Sequence, residues 1–103
     1  MNMMKMMKQA QQMQAKMKEM QDELAAKEYE AEAGGGAVKA VATGSGELRS
    51  LKIDEDMLKE GDAEMVEDLV VTAVNEAINK GRDEMNAEMS KMTKGLGLPP
   101  GMM

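Results

Sequence analysis

Eight basic side chains are the residues whose type and spacing could do chemistry, and they fall in two helix-like segments. A lysine ammonium group binds phosphate oxygens as a point charge and reads little base sequence. The same pattern is typical of a solvated helix surface, which the residues alone favour. The candidates are Lys5, Lys8, Lys16 and Lys18 near the start of the chain, and Lys80, Arg82, Lys91 and Lys94 near its end.

Catalysis and metal binding have little support among the other residue types. The chain has no Cys and no His, which removes thiol nucleophiles, the commonest general base and the commonest metal ligand. Glu28, Glu30 and Glu32 alternate along a strand-like segment and therefore face water, whereas a catalytic carboxyl needs an apolar pocket. The acidic loop at 54–56 lacks the spacing of an EF-hand. We predict a protein that is not an enzyme and takes no metal, cofactor or small-molecule substrate.

Methionine occurs 15 times and is the most unusual feature of the composition. Thioether sulfur is a soft ligand for copper(I), and methionine-rich surfaces adapt to varied partner helices. A metal site needs a compact cluster, whereas here methionine recurs at regular core spacing. We therefore interpret the methionines as a packed seam in a core or a dimer.

The element that positions the first four lysines is a predicted helix over residues 2–26. This segment contains no Pro, no Gly and no β-branched residue. Its apolar residues are spaced alternately three and four apart over three heptads, which is typical of a seam packed against another helix. At about 24 residues, or roughly 36 Å, the helix is too long for a small domain to cover. The seam consists of Met3, Met6, Ala10, Met13, Met17, Met20 and Leu24.

Residues 28–54 change to the two-residue period of β-strands. Strands are predicted over residues 28–33, 37–43 and 47–54, with glycine-rich turns at 34–36 and 44–46. Neither turn has the sequence of a phosphate-binding loop, and both lie between strands instead of before helices. The segment therefore predicts a three-stranded antiparallel meander. Its first two strands are rich in alanine, so we expect bulkier side chains to cover them closely.

A second long helix is predicted to begin after Asp62, whose side chain is suited to cap it. Its broad apolar stripe over residues 65–78 indicates packing on the sheet and against a second surface. Gly81 would cost about 1 kcal/mol inside a helix, so we expect the helix to be broken there. The helix then resumes over 82–94, and residues 97–103 are predicted to form a flexible Pro/Gly/Met tail.

The net charge of −6 is unevenly distributed along the chain. Residues 1–18 carry four lysines and no acid, whereas residues 54–68 carry eight acids and one lysine. An acidic protein binds nucleic acid weakly unless a dimer concentrates its basic helices at exposed ends. Tyr29 is the only aromatic residue, which excludes a base-stacking platform. Since neither a run of 18 apolar residues nor a targeting pattern is evident, we expect a cytoplasmic protein with no membrane partner.

Three segments, taken in order, resemble the YbaB/EbfC family of bacterial nucleoid-associated proteins. Residues 7–24, MKQAQQMQAKMKEMQDEL, are similar to the opening helix of that family. Residues 67–78, EDLVVTAVNEAI, are similar to its central helix, and residues 98–101 to its Leu-Pro-Pro-Gly tail. The strand LRSLKID at 48–54 fits between them, so the resemblance covers nearly the whole chain. A Gly-rich stretch before the first helix, present in some members, is absent.

The resemblance implies one α+β domain over residues 1–96 that forms tweezer-like homodimers, binds duplex DNA and alters its conformation. Roles in nucleoid organisation, gene regulation and DNA protection are implied with it, as is a location in the nucleoid. Because the family associates DNA contact with its terminal helices, the eight basic residues become the DNA-binding candidates. The alternative is an adaptor whose methionine-lined helices bind another protein without direct DNA contact. The charge of −6 and the lack of an arginine-rich patch favour that alternative.

Overall fold

The computed structural model describes residues 2–95, with side chains described as far as Met92. The predicted tail at 97–103 lies outside the described residues. The order of elements confirms the α+β prediction of a helix, a three-stranded meander and a second long helix. These elements are α1 (Met3–Ala26), β1 (Glu28–Ala33), β2 (Val38–Thr43), β3 (Leu48–Ile53), α2 (Glu55–Lys59) and α3 (Ala63–Gly95).

Side-chain caps fix where the three helices begin. The Oδ1 atom of Asn2 accepts a hydrogen bond from Met4 N at 3.1 Å, which caps α1. Asp62 Oδ1 accepts from Met65 N at 3.1 Å, which confirms the predicted start of α3. The acidic segment predicted as a loop contains the short helix α2 instead. Asp54 caps α2, and two acids in its first turn favour the positive end of the helix dipole.

The sheet is an antiparallel meander with the strand order β1-β2-β3. Tyr29 is paired with Ala42, and Ala33 with Val38, so their side chains share one face of the sheet. That face is buried, whereas the glutamates that alternate along β1 are exposed. This confirms the two-residue pattern predicted for the first two strands.

The helix α3 packs across β1 and β2 through small residues of its own. Ala73 and Ala77 are fully buried, so small side chains of the helix lie against the alanines of the sheet. The expectation of a bulkier cover was therefore wrong at the centre of this contact. Bulkier residues are half-buried around it, including Leu69 and Val74. Small residues on both sides allow the helix and the sheet to approach closely.

The predicted break at Gly81 was wrong, because α3 runs without interruption from Ala63 to Gly95. A Cβ at position 81 would lie 2.8 Å from Thr43 O and 3.1 Å from the ring of Tyr29. Gly81 therefore continues the row of small residues facing the sheet. The glycine serves close packing between two elements, and the packing outweighs its poor helix propensity.

Two apolar surfaces remain uncovered within the chain. Leu48 and Leu51 of β3 are 41% and 38% exposed because α3 lies over the other two strands. None of the residues of α1 is buried. The base of α1 is held by hydrogen bonds from Ser45 N to Ala25 O (3.1 Å) and from Gly44 N to Lys27 O (3.0 Å). The molecule is elongated, with extents of 73 × 22 × 16 Å.

Candidate nucleic-acid interface

The four lysines of α1 are exposed and lie on a helix that has few contacts with the body. Residues 2–18 contain no acid, and none of the ion pairs in the described part of the chain involves α1. At about 100° per residue, Lys5, Lys8 and Lys16 share one flank of the helix, whereas Lys18 lies on the other. The structure therefore brings three of the four predicted side chains together along one exposed stripe.

The body anchors only the C-terminal part of α1. A Cβ at Gly44 would collide with the carbonyl oxygen of Leu24, so glycine is required where the base of α1 meets the β2–β3 turn. Farther along, Met17 and Met20 lie beside Met92 of α3. The start of the helix lacks such cover, and Met3 is 76% exposed. The basic stripe is therefore carried on a projecting helix.

The basic residues of α3 are placed differently from those of α1. Lys80 Nζ donates a hydrogen bond to Glu30 O at 3.3 Å, which directs that side chain along β1. The guanidinium of Arg82 lies over Gly46 in the β2–β3 turn, on the opposite flank of α3. Lys91 Nζ lies 3.4 Å from Glu88 Oε1, an exposed ion pair. The side chain of Lys94 lies outside the described residues.

One basic pair was not singled out from the sequence. Lys39 of β2 is directly opposite Lys52 of β3, and both are exposed on the outer face of the sheet. Lys39 also forms an ion pair with Glu32 of β1 at 3.6 Å. The alternation along both strands places these lysines on the solvent face, but only the register brings them side by side.

Acidic and basic residues are concentrated in different parts of the molecule. The eight acids of residues 54–68 lie on α2, the loop after it and the first turns of α3. Because α3 is about 50 Å long and its far end lies beside α1, these acids are remote from the projecting start of α1. The net charge of −6 therefore does not describe the field around the α1 lysines.

The described residues offer no second kind of site for the predicted chemistry. Among them, no group of three or more His, Cys, Asp or Glu side chains is arranged to hold a metal ion. An open cleft of about 690 Å³ between β1 and α3 is lined by several carboxylates, including Glu32, Glu76 and Asp83. Such a lining repels phosphate. Within residues 2–95, no helix is both long enough and apolar enough to span a membrane.

Comparison with known sequences gives consistent matches along the chain. The sequence profile of the YbaB/EbfC DNA-binding family matches residues 1–96. A Thermoanaerobacter pseudethanolicus protein named Nucleoid-associated protein Teth39_2199 is 51% identical over 94 residues, which cover 91% of this chain and 85% of that protein. Nucleoid-associated protein Atu0095 of Agrobacterium fabrum is 46% identical over 97 residues, covering 94% and 91% of the two chains.

A solved structure has the same fold. The crystal structure of the uncharacterized protein HP0035 from Helicobacter pylori superposes with a TM-score of 0.70 and covers 89% of this chain and 97% of that chain. The two sequences are 21% identical, so this likeness supports the architecture alone.

Proposed function

Since this chain belongs to the YbaB/EbfC DNA-binding family, we propose that it binds duplex DNA as a homodimer and alters the conformation of that DNA. The names of its relatives at 46–51% identity support a role as a nucleoid-associated protein. The roles in nucleoid organisation, gene regulation and DNA protection, and a location in the nucleoid, belong to this proposal.

The observation that carries the proposal is the acid-free start of α1. Four lysines are exposed over residues 2–18, and the part that bears Lys5 and Lys8 lies farthest from the acidic segment. A duplex that approached the body would meet a net negative charge, whereas α1 offers unpaired ammonium groups. Phosphate contacts of this kind position a protein on DNA without reading its sequence. We therefore assign the main contact to Lys5, Lys8 and Lys16, with Lys18 at its side.

The basic residues of α3 have a secondary part in this proposal. Lys80, Arg82 and Lys91 each have a contact within the chain, and DNA would have to compete with those contacts. They border the path of a duplex that reaches the body from α1. Lys94 follows them along α3 and is proposed as a further phosphate contact.

A homodimer is supported by the apolar surface left open beside β3. Leu48 and Leu51 are exposed on the face of the sheet that α3 covers elsewhere, and Val71 of α3 is 58% exposed. Arg82 lies over the β2–β3 turn, so this flank of α3 is directed toward β3. Contiguous exposed apolar surface marks an interaction site. A second copy placed here buries this surface and leaves both α1 helices projecting.

The experiment that tests the proposal is fluorescence anisotropy of a labelled random duplex, titrated with the protein across a series of salt concentrations. For four to eight phosphate contacts per dimer, log K should fall against log salt with a slope of about −3.5 to −7. Absence of binding at low salt would contradict the proposal. The adaptor alternative would then be tested by affinity capture from nuclease-treated lysate, where it requires one stoichiometric protein partner.

A further inference from the structure

The methionine seam of α1 forms a groove with the end of α3. Met13, Met17 and Met20 line one side of this groove and Met92 the other, around a volume of about 580 Å³ that is open to solvent. The seam continues beyond the groove to Met6 and Met3, which are 53% and 76% exposed. One helix therefore carries both an apolar groove near its middle and an uncovered apolar ridge at its start.

We propose that this surface binds a second copy of the chain, with the two α1 helices antiparallel and the ridge of each in the groove of the other. Met3 then lies against Met20 of the second copy, Met6 against Met17, and Ala10 against Met13. The heptad period supports this occupant, because a partner helix must repeat every 3.5 residues to follow the seam. A second α1 has that period and the same length.

Charge complementarity selects the antiparallel orientation. In α1 the lysines precede the acids, since Lys5 and Lys8 lie near its start and Glu19, Asp22 and Glu23 near its end. The antiparallel register brings Lys5 level with the acidic end of the second helix. A parallel pair would set four lysines beside four lysines. Like charges side by side oppose association, whereas opposite charges favour it.

This contact is separate from the dimer surface beside β3 and does not depend on DNA binding. A molecule with both contacts can use one to form dimers and the other to join dimers. Two isologous interfaces on one chain permit assemblies larger than a dimer. The proposal therefore concerns higher assembly and can fail while the DNA-binding proposal stands.

The first test is sedimentation equilibrium of the full chain without DNA. Wild type should form species larger than a dimer at high micromolar concentration, and the double variant Met3→Gln, Met6→Gln should weaken that step at least tenfold. These side chains are exposed, so the change removes little packing within the chain. The control double variant, Met4→Gln with Met65→Gln, alters exposed methionines outside the seam and should behave as wild type. A wild type no larger than a dimer, or a seam variant that associates as wild type does, would overturn the proposal.

The second test determines orientation and uses the absence of cysteine from the chain. Chains carrying Met3→Cys are mixed with chains carrying Met20→Cys and oxidised. The antiparallel register predicts disulfides mainly between the two kinds of chain. Predominant linkage of Met3→Cys chains to each other would show a parallel pair and overturn the proposed register, and linkage at the random ratio would refute a defined contact.

Discussion

At the scale of single residues, the glycines of the helix–sheet junction show how context changes the meaning of a residue. Gly81 has a low helix propensity, and the sequence alone predicts a break there. Its neighbours in space give the opposite result, because Thr43 O and the ring of Tyr29 leave no room for a Cβ. Propensity is a local property of the chain, whereas close approach depends on an element 40 residues away. This is why the residue could be noticed in the sequence but not correctly interpreted.

The substitution Gly81→Ala should destabilise the protein by about 1–3 kcal/mol, because the new methyl group overpacks against backbone. This loss outweighs a gain of about 1 kcal/mol in helix propensity. The measurement is the free energy of unfolding from denaturant titration. Asn86→Ala, at an exposed position of the same helix, is the control and should be neutral or slightly stabilising. A Gly81→Ala protein as stable as wild type would show that the junction is looser than described.

At the scale of elements, the two long helices and the three strands could be predicted from periodicity and turn residues. The Asp62 cap and the buried face of β1 were also correct, because each depends on neighbouring residues alone. The short helix α2 was missed, since five residues are too few for a periodic pattern. The placement of α3 over β1 and β2, which leaves β3 open, depends on tertiary packing that no local pattern contains.

The start of α1 depends on its cap, because no tertiary packing supports it there. Asn2→Ala removes the hydrogen bond to Met4 N and should cost about 1 kcal/mol of local helix stability. Amide hydrogen exchange over the first two turns should accelerate roughly fivefold, a factor that corresponds to this energy. Asn2→Ser retains a capping oxygen and is the control. Equal exchange rates in wild type and the alanine variant would indicate that the cap does not hold this end of the helix.

At the scale of the whole molecule, the separation of charge explains how an acidic chain can bind a polyanion. The net charge and the basic segments are both visible in the sequence, but the distance between acids and lysines appears only in the fold. The candidate site was therefore predicted in part. The four lysines of α1 are exposed and unpaired in the described structure, whereas three of the α3 residues have contacts within the chain.

The proposed dimer surface predicts that a charge at Leu51 prevents association. Leu51→Lys places an ammonium group in the apolar surface beside β3, where a second copy would desolvate it. Sedimentation at low micromolar concentration should then show a monomer in place of a dimer. Leu58→Lys is the matched control, because Leu58 is 52% exposed on α2, outside the proposed surface. An unchanged dimer in the Leu51→Lys variant would exclude this surface as the interface.

The central claim is that the start of α1, and not overall charge, binds DNA. The most direct measurement compares the salt dependence of duplex binding for two double variants with the same net charge. Lys5→Gln with Lys8→Gln should reduce affinity at low salt at least tenfold and lower the magnitude of the slope by about two to four. Lys39→Gln with Lys52→Gln, which neutralises the pair on the outer face of the sheet, should leave both quantities near those of wild type. Equal losses in the two variants, or no loss in the first, would contradict the account.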